Sequence, residues 1–279
     1  MAKKFSMDWN KINEKIKESE SKGSFEKDQR IYTLKAKDDG SASAIIRFIP
    51  QNDLSKVPFV KLYNHGFKNG GQWFINNCPT TINKPCPVCK ANSDLWDSDP
   101  ETVRSRSRKT SYYTNILIIK DPQKPENEGK VFIYRFGKKI FDKIMNAWHP
   151  PEGSVDDPIE VFDYYAGSNF KLIMKSTKNG PNYDDSKFVE TITEVGDDDT
   201  IEKIHSQTYN IDEFISADKF KTYEELENRF NEVVGLKSTI ESKSPEISNS
   251  PDPTEDKVEL KLDESRESFL SKLKKKAKE

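Results

Sequence analysis

All three cysteines of this chain, Cys78, Cys86 and Cys89, fall within twelve residues of one another. Cys86-Pro-Val-Cys89 is a C-x2-C knuckle, whose short loop can aim two thiolates at one tetrahedral ion at about 2.3 Å each. Cys78 supplies a third sulfur, and a closed structural zinc site wants a fourth ligand. His65 precedes Cys78 with twelve residues between, so the pattern is His-x12-Cys-x7-Cys-x2-Cys. His149 and His205 lie far from the cluster in sequence. A redox C-x2-C is the rival reading; it leaves Cys78 unexplained, and no βαβ pattern surrounds the motif. The spacing therefore predicts one structural Zn2+ held by His65, Cys78, Cys86 and Cys89, with no coordination position left open for chemistry. The segment from His65 to Cys89 has few large apolar residues. Metal binding is expected to supply much of its folding energy, on the order of 10 kcal/mol. Three cysteines cannot pair evenly, which argues against a disulfide framework.

Composition bounds the rest. The chain has 279 residues, 33% apolar and 33% charged, with aromatics at 11%. Those aromatics require a real core, diluted by solvated segments. One core of roughly 200 residues with tails is the expected organisation. No apolar run approaches the length needed to span a bilayer, and the N-terminus has no uninterrupted apolar stretch of signal-peptide type. A soluble intracellular protein is expected.

Three segments follow. Residues 1–20 read as an amphipathic arm with Phe5, Trp9, Ile12 and Ile16 on one helical stripe. Residues 21–235 hold the core, with the zinc segment at about 60–95. Within them, 29–37, 42–50, 57–67, 112–120, 130–136 and 169–175 read as strands, and 138–148 as a helix. Thr222 to Gly235 is the clearest helix, with a capping box from Thr222 and Glu225 and a glycine stop. Residues 236–279 are rich in Ser, Pro and charge and read as a flexible tail. Val258, Leu262, Phe269 and Leu273 keep open the alternative of a transient helix that docks on a partner.

A formal net charge of −2 hides a basic centre. From Glu101 to Ala147 eleven basic residues face five acids; from Glu190 to Glu227 twelve acids face three lysines. The basic centre carries Arg104-Ser-Arg106-Ser-Arg108-Lys109-Thr110-Ser111-Tyr112-Tyr113, and a second run, Tyr134-Arg135-Phe-Gly-Lys138-Lys139, repeats the mixture. Trp96 and Tyr183 sit in polar, loop-like settings. Cations displace counterions from phosphates, short hydroxyls bond phosphate oxygens, and aromatic rings stack on bases of any identity. The plain alternative is a set of ordinary strand aromatics with solvated lysines nearby. Duplex DNA hides its base faces, so the combination points to single strands.

RKTSYYTNILIIKDPQKPENEGKVFIYRFGKKIFDKI, with AIIRFIP, NHGFKNGGQWFI, CPVC and NYDDSKF in matching order, closely resembles the helix-destabilising single-stranded DNA-binding protein family of T-even-type bacteriophages. The resemblance covers about residues 25–235. It implies an α+β fold: an OB-fold, a five-stranded β-barrel, with a zinc-binding subdomain and peripheral helices, and a basic cleft between them for single-stranded DNA. His65, Cys78, Cys86 and Cys89 match the family's zinc ligands. Arg108, Lys109, Thr110 and Ser111 match its Lys/Arg-Ser/Thr motif, with Ser107 replacing a basic residue and Arg104 and Arg106 beside it. Tyr112, Tyr134 and Tyr183 match its DNA-facing tyrosines, and Trp96 stands where the family has a tyrosine. The N-terminal copy of the motif, which the family uses for self-association along DNA, is reduced to Lys3, Lys4 and Ser6. The family's tail is acidic and recruits replication and recombination proteins; here residues 236–279 carry ten bases and ten acids. The implied role is coating single-stranded DNA during phage replication, recombination and repair in the host cytoplasm, without catalysis. A zinc-stabilised interaction scaffold is the alternative. An enzyme would need convergent carboxylates, and Asp197, Asp198 and Asp199 are expected to lie adjacent in a loop.

Overall fold

The computed structural model describes residues 28–178 and 180–235. The arm residues Lys3, Lys4 and Ser6, and the tail 236–279, lie outside the described residues. Among the described residues nine strands and five helices make up a mixed α+β fold. Its spine is β5, Lys109–Lys120, in which every residue from Ser111 to Ile118 is buried. A strand covered on both faces reads as a continuous apolar run, as Asn115-Ile-Leu-Ile-Ile nearly does. One edge of β5 pairs first with β3, Phe59–Asn69, along Lys109–Thr114, and then with β2, Ala42–Ile49, along Asn115–Lys120. The other edge takes β6, Val131–Phe136, but only from Tyr112 onward. β2 also pairs with β7, Ser168–Thr177, in continuous register, whereas its pairing with β5 breaks register between Ile45 and Ile46. A shift of that kind bends a sheet. A two-residue strand β1, Ile31–Tyr32, runs parallel to β6, and β8, Gly180–Asn182, and β9, Lys187–Ile192, complete the β7 side.

β3 turns into β4, Gln72–Asn77, through Gly70 and Gly71, whose φ values of 53° and 86° lie in the region a two-residue hairpin turn demands. Two short helices follow: α1, Pro87–Leu95, and α2, Pro100–Arg106, each opened by proline at its first turn. Asp99 caps α2 by accepting from Thr102 N at 3.0 Å. α3, Lys138–Trp148, packs Ile140 and Ile144 into the main core with Phe48, Ile116, Phe136 and Phe170. α4 is Asp198–Ser206; the three aspartates expected in a loop instead cap and begin this helix, with Asp197 accepting from Thr200 N. α5, Tyr223–Val234, has the expected capping box, and Gly235 ends it with φ 72°.

The metal-motif segment has more core than its own residues offer. α5 returns to it, and Leu226, Phe230, Val233 and Val234 pack against Phe67, Phe74, Val88 and Ala91. Phe67 and Phe74 stack at 5.1 Å, and Phe230 meets both edge-on. A helix far along the chain thus supplies half of this second core. Phe230→Ala opens a cavity beneath the hairpin and should lower unfolding stability by about 3–5 kcal/mol in urea denaturation.

Candidate metal centre and nucleic-acid interface

His65 lies on β3, Cys78 directly after β4, and Cys86 and Cys89 at the cap and first turn of α1. Their ligand atoms all lie within 4.8 Å of one another. Cys78 Sγ is 3.5 Å from Cys89 Sγ, and His65 Nε2 is 3.6 Å from Cys86 Sγ and 3.4 Å from Cys89 Sγ. A tetrahedron with 2.3 Å metal–sulfur bonds has sulfur–sulfur edges of about 3.8 Å, so the donor set fits one cation. The four residues converge as their spacing predicts. Burial opposes charging of His65, but the Cys78 and Cys86 sulfurs and the Arg106 carbonyl outweigh it and raise its pKa to about 9. Hydrogen bonds from Cys86 and Cys89 pull the Cys78 thiol down, and those to Cys78 and Cys86 push the Cys89 thiol up. Without a cation, then, the cluster holds protons that a metal must displace.

Two contacts tie this centre to the basic segment. His65 Nδ1 lies 2.9 Å from the carbonyl oxygen of Arg106. A carbonyl only accepts, so Nδ1 carries the hydrogen and a neutral ring offers Nε2 to a metal. Arg108 Nη1 donates to Thr80 Oγ1 at 2.8 Å, and Thr80 Oγ1 lies 3.1 Å from Cys78 Sγ. The hydroxyl accepts from arginine and donates to sulfur.

The basic and aromatic residues divide between the two faces of the sheet, because side chains alternate along β5. On the face shared with His65, the Arg108 guanidinium sits 4.5 Å from the Tyr63 ring centroid, and Lys61 Nζ sits 4.8 Å from it. Tyr63 pairs across the strands with Thr110, and Lys61 with Tyr112. Next along this face stands the start of α3, where Lys138 and Lys139 are exposed and pair with Asp142 and Asp184 at 2.7 and 2.8 Å. Gly137 caps α3 with no side-chain hydrogen bond. Lysines at a helix N-terminus work against its dipole, and an anion there would satisfy both.

Lys109, Ser111 and Arg135 point to the opposite face. Arg135 donates to the Ser111 hydroxyl at 3.0 and 3.2 Å and lies over Tyr113. Arg104 is exposed in the last turn of α2, and Trp96, 62% exposed, ends α1.

Four expected contact residues are placed otherwise. The Arg106 guanidinium packs against Phe67 and Phe230, each at 5.7 Å, and burial lowers its pKa. Its place at the end of α2 turns it into the second core. Tyr134 is interior: it stacks on Phe136 at 5.6 Å and meets Tyr32 edge-on, since β6 alternation puts Phe132, Tyr134 and Phe136 on the core side. Tyr112 is also buried, stacked on Phe141 at 3.9 Å and Phe136 at 5.7 Å. Only its hydroxyl comes within electrostatic reach of Lys61, Tyr63 and Lys138. Tyr183 is half-buried on the same core and donates to Met174 Sδ at 3.4 Å. Sequence reasoning missed Lys61 and Tyr63; the alternation Lys61-x-Tyr63-x-His65 would have put them on the ligand's face.

Fold and site together define an α+β protein in which a Cys3His set able to hold a metal ion stands beside a strip of cations and rings. The chain belongs to the "gp32 DNA binding protein like" family, whose model matches residues 40–234. It is 41% identical over 222 residues to the "Single-stranded DNA-binding protein" of Enterobacteria phage T2, covering 77% of this chain and 74% of the relative. It is 40% identical over 221 residues to the protein of the same name from Enterobacteria phage T4, covering 77% and 73%. Among the described residues no helix is long and apolar enough to cross a membrane.

Cys89→Ser removes one donor of the four that could hold a metal ion. It should leave metal content well below one ion per chain by atomic emission, and lower the melting temperature.

Proposed function

We infer that the protein binds single-stranded DNA, largely without regard to sequence, along the strip formed by Lys61, Tyr63, Arg108 and Thr110 and the start of α3. The single observation that carries this reading is the Tyr63 ring with Arg108 and Lys61 at 4.5 and 4.8 Å from its centroid, and the metal-binding set fixing Arg108 through Thr80. A ring among fixed cations offers a base its face and the backbone its counter-charge. Family membership and the names of its relatives support the polymer as single-stranded DNA. The cation of the site is Zn2+, one per chain and structural: three thiolates and an imidazole are its preferred closed set. With three thiolates, a divalent ion leaves the centre a net charge of −1, which attracts Arg108. The ion braces; it does no chemistry.

The bent sheet, in which β2 and β5 each pair along both edges, supports reading it as an OB-fold barrel with the metal segment beside it. Arg104, Lys138, Lys139 and Trp96 flank the strip as outer contacts, and Tyr112 contributes its hydroxyl. Lys109, Ser111 and Arg135 serve from the opposite face. The protein coats exposed DNA during phage replication, recombination and repair in the host cytoplasm, without catalysis. Lys3, Lys4 and Ser6 serve self-association along DNA, and the tail 236–279 serves replication partners.

An oligo-dT titration at several salt concentrations tests the reading. Log affinity should fall linearly with log salt, and Arg108→Ala should weaken binding and flatten the slope by about 0.7. No binding at low salt, or binding indifferent to salt, contradicts it.

A further inference from the structure

We propose that the outer face of the β3–β4 hairpin is a second contact surface for the single strand, with Trp73 as a base-stacking platform and Lys68 and Lys109 as phosphate contacts. The proposal rests on the single-strand reading above and extends it to residues that lie on the far side of the sheet from Tyr63.

Register places the surface. Lys68 pairs with Trp73, Gly66 with Ile75 and Asn64 with Lys109, so all six share the face opposite His65 and Phe67. Trp73 is 55% exposed and Ile75 69%, although Phe74 between them is fully buried. Lys68 Nζ stands 6.0 Å from the Trp73 ring centroid. Gly66 has no side chain, and Lys109 Nζ reaches to 3.7 Å from where a Cβ would be. Arg229 Nη2 donates to the Trp73 carbonyl at 3.0 Å and pins the strand beneath the ring. A large ring on a fixed backbone, flanked by two lysines, repeats the chemistry of Tyr63.

Charge selects the occupant. From Phe59 to Ser93 the chain has four lysines and no aspartate or glutamate, in a protein where one residue in three is charged. An acid-free stretch of that kind suits a polyanion. Trp73 and Ile75 alone fall far short of the roughly 800 Å² per partner of a stable protein interface. The two faces are also continuous for a polymer. Among the described residues β6 joins β5 only from Tyr112, which leaves the β5 edge at Lys109–Ser111 without a strand partner on that side. Arg108 looks to one face there and Lys109 to the other, so a strand leaving Arg108 can round the edge to Lys109 and Lys68.

The test compares oligo-dT of about 8 and about 24 nucleotides with the full chain, the shorter being near one binding segment. Trp73→Ala should cost about tenfold in affinity for the long oligomer, shrinking the ratio of long to short affinity. Lys68→Gln should flatten the salt slope of the long oligomer by about 0.7. If both variants keep the wild-type ratio and slope while Arg108→Ala is impaired, the second surface is wrong and the first stands. If the wild type binds neither oligomer, the single-strand reading fails and takes this one with it. If Trp73→Ala alters sedimentation without DNA and leaves both affinities intact, the face contacts protein, which overturns the proposal.

Discussion

The His65 imidazole acts at both of its nitrogens. Nε2 faces the three sulfurs, and Nδ1 donates to the Arg106 carbonyl at 2.9 Å, so the ring that completes the donor set also fixes the start of β5. The segment that leads into β5 is held at that point. Arg108 leans on Tyr63 and bonds Thr80, whose hydroxyl touches Cys78. Outer-sphere partners of this sort usually serve the metal by orienting its ligands. Here the service runs both ways, because the partners belong to the basic segment that leads into β5.

The centre would carry little weight on a loose segment. α5 makes it firm by closing a core of phenylalanines under the hairpin, and Arg106, an expected DNA contact, spends its side chain on that core. The tyrosines show the same trade. Tyr134, Phe136, Tyr112 and Phe141 form a run of rings that stack on one another. They hold α3 against the sheet and so set where Lys138 and Lys139 stand. Tyr63 on one side of the sheet and Trp73 on the other stand apart from that run, each beside lysine or arginine.

Much of this was legible in the sequence where short-range rules act. The four ligand residues declared themselves by spacing, the Thr222–Gly235 helix by its cap and stop, and 138–148 by its apolar stripe. What stayed hidden depends on long-range placement. Nothing near Phe230 says that it will lie on Phe67 and Phe74. Pro87 and Pro100 mark helix starts, but their helices are short and weakly patterned, and the strand that follows the Gly70-Gly71 turn is only six residues long. A run such as Arg108 to Tyr112 reads as one surface on paper, whereas a strand sends its members alternately to two. Counting by twos from His65 separates Tyr63 and Lys61 from Leu62 and Asn64, and that step recovers the strip.

The cluster of His65 and the three cysteines holds the basic segment in place through the Arg106 carbonyl and Thr80. The most direct measurement is an oligo-dT titration of the full chain before and after chelation, with metal content measured on the same samples. Stripped protein should lose affinity and salt slope together, and both should return with stoichiometric zinc. Equal affinity and equal slope with no metal bound would contradict it.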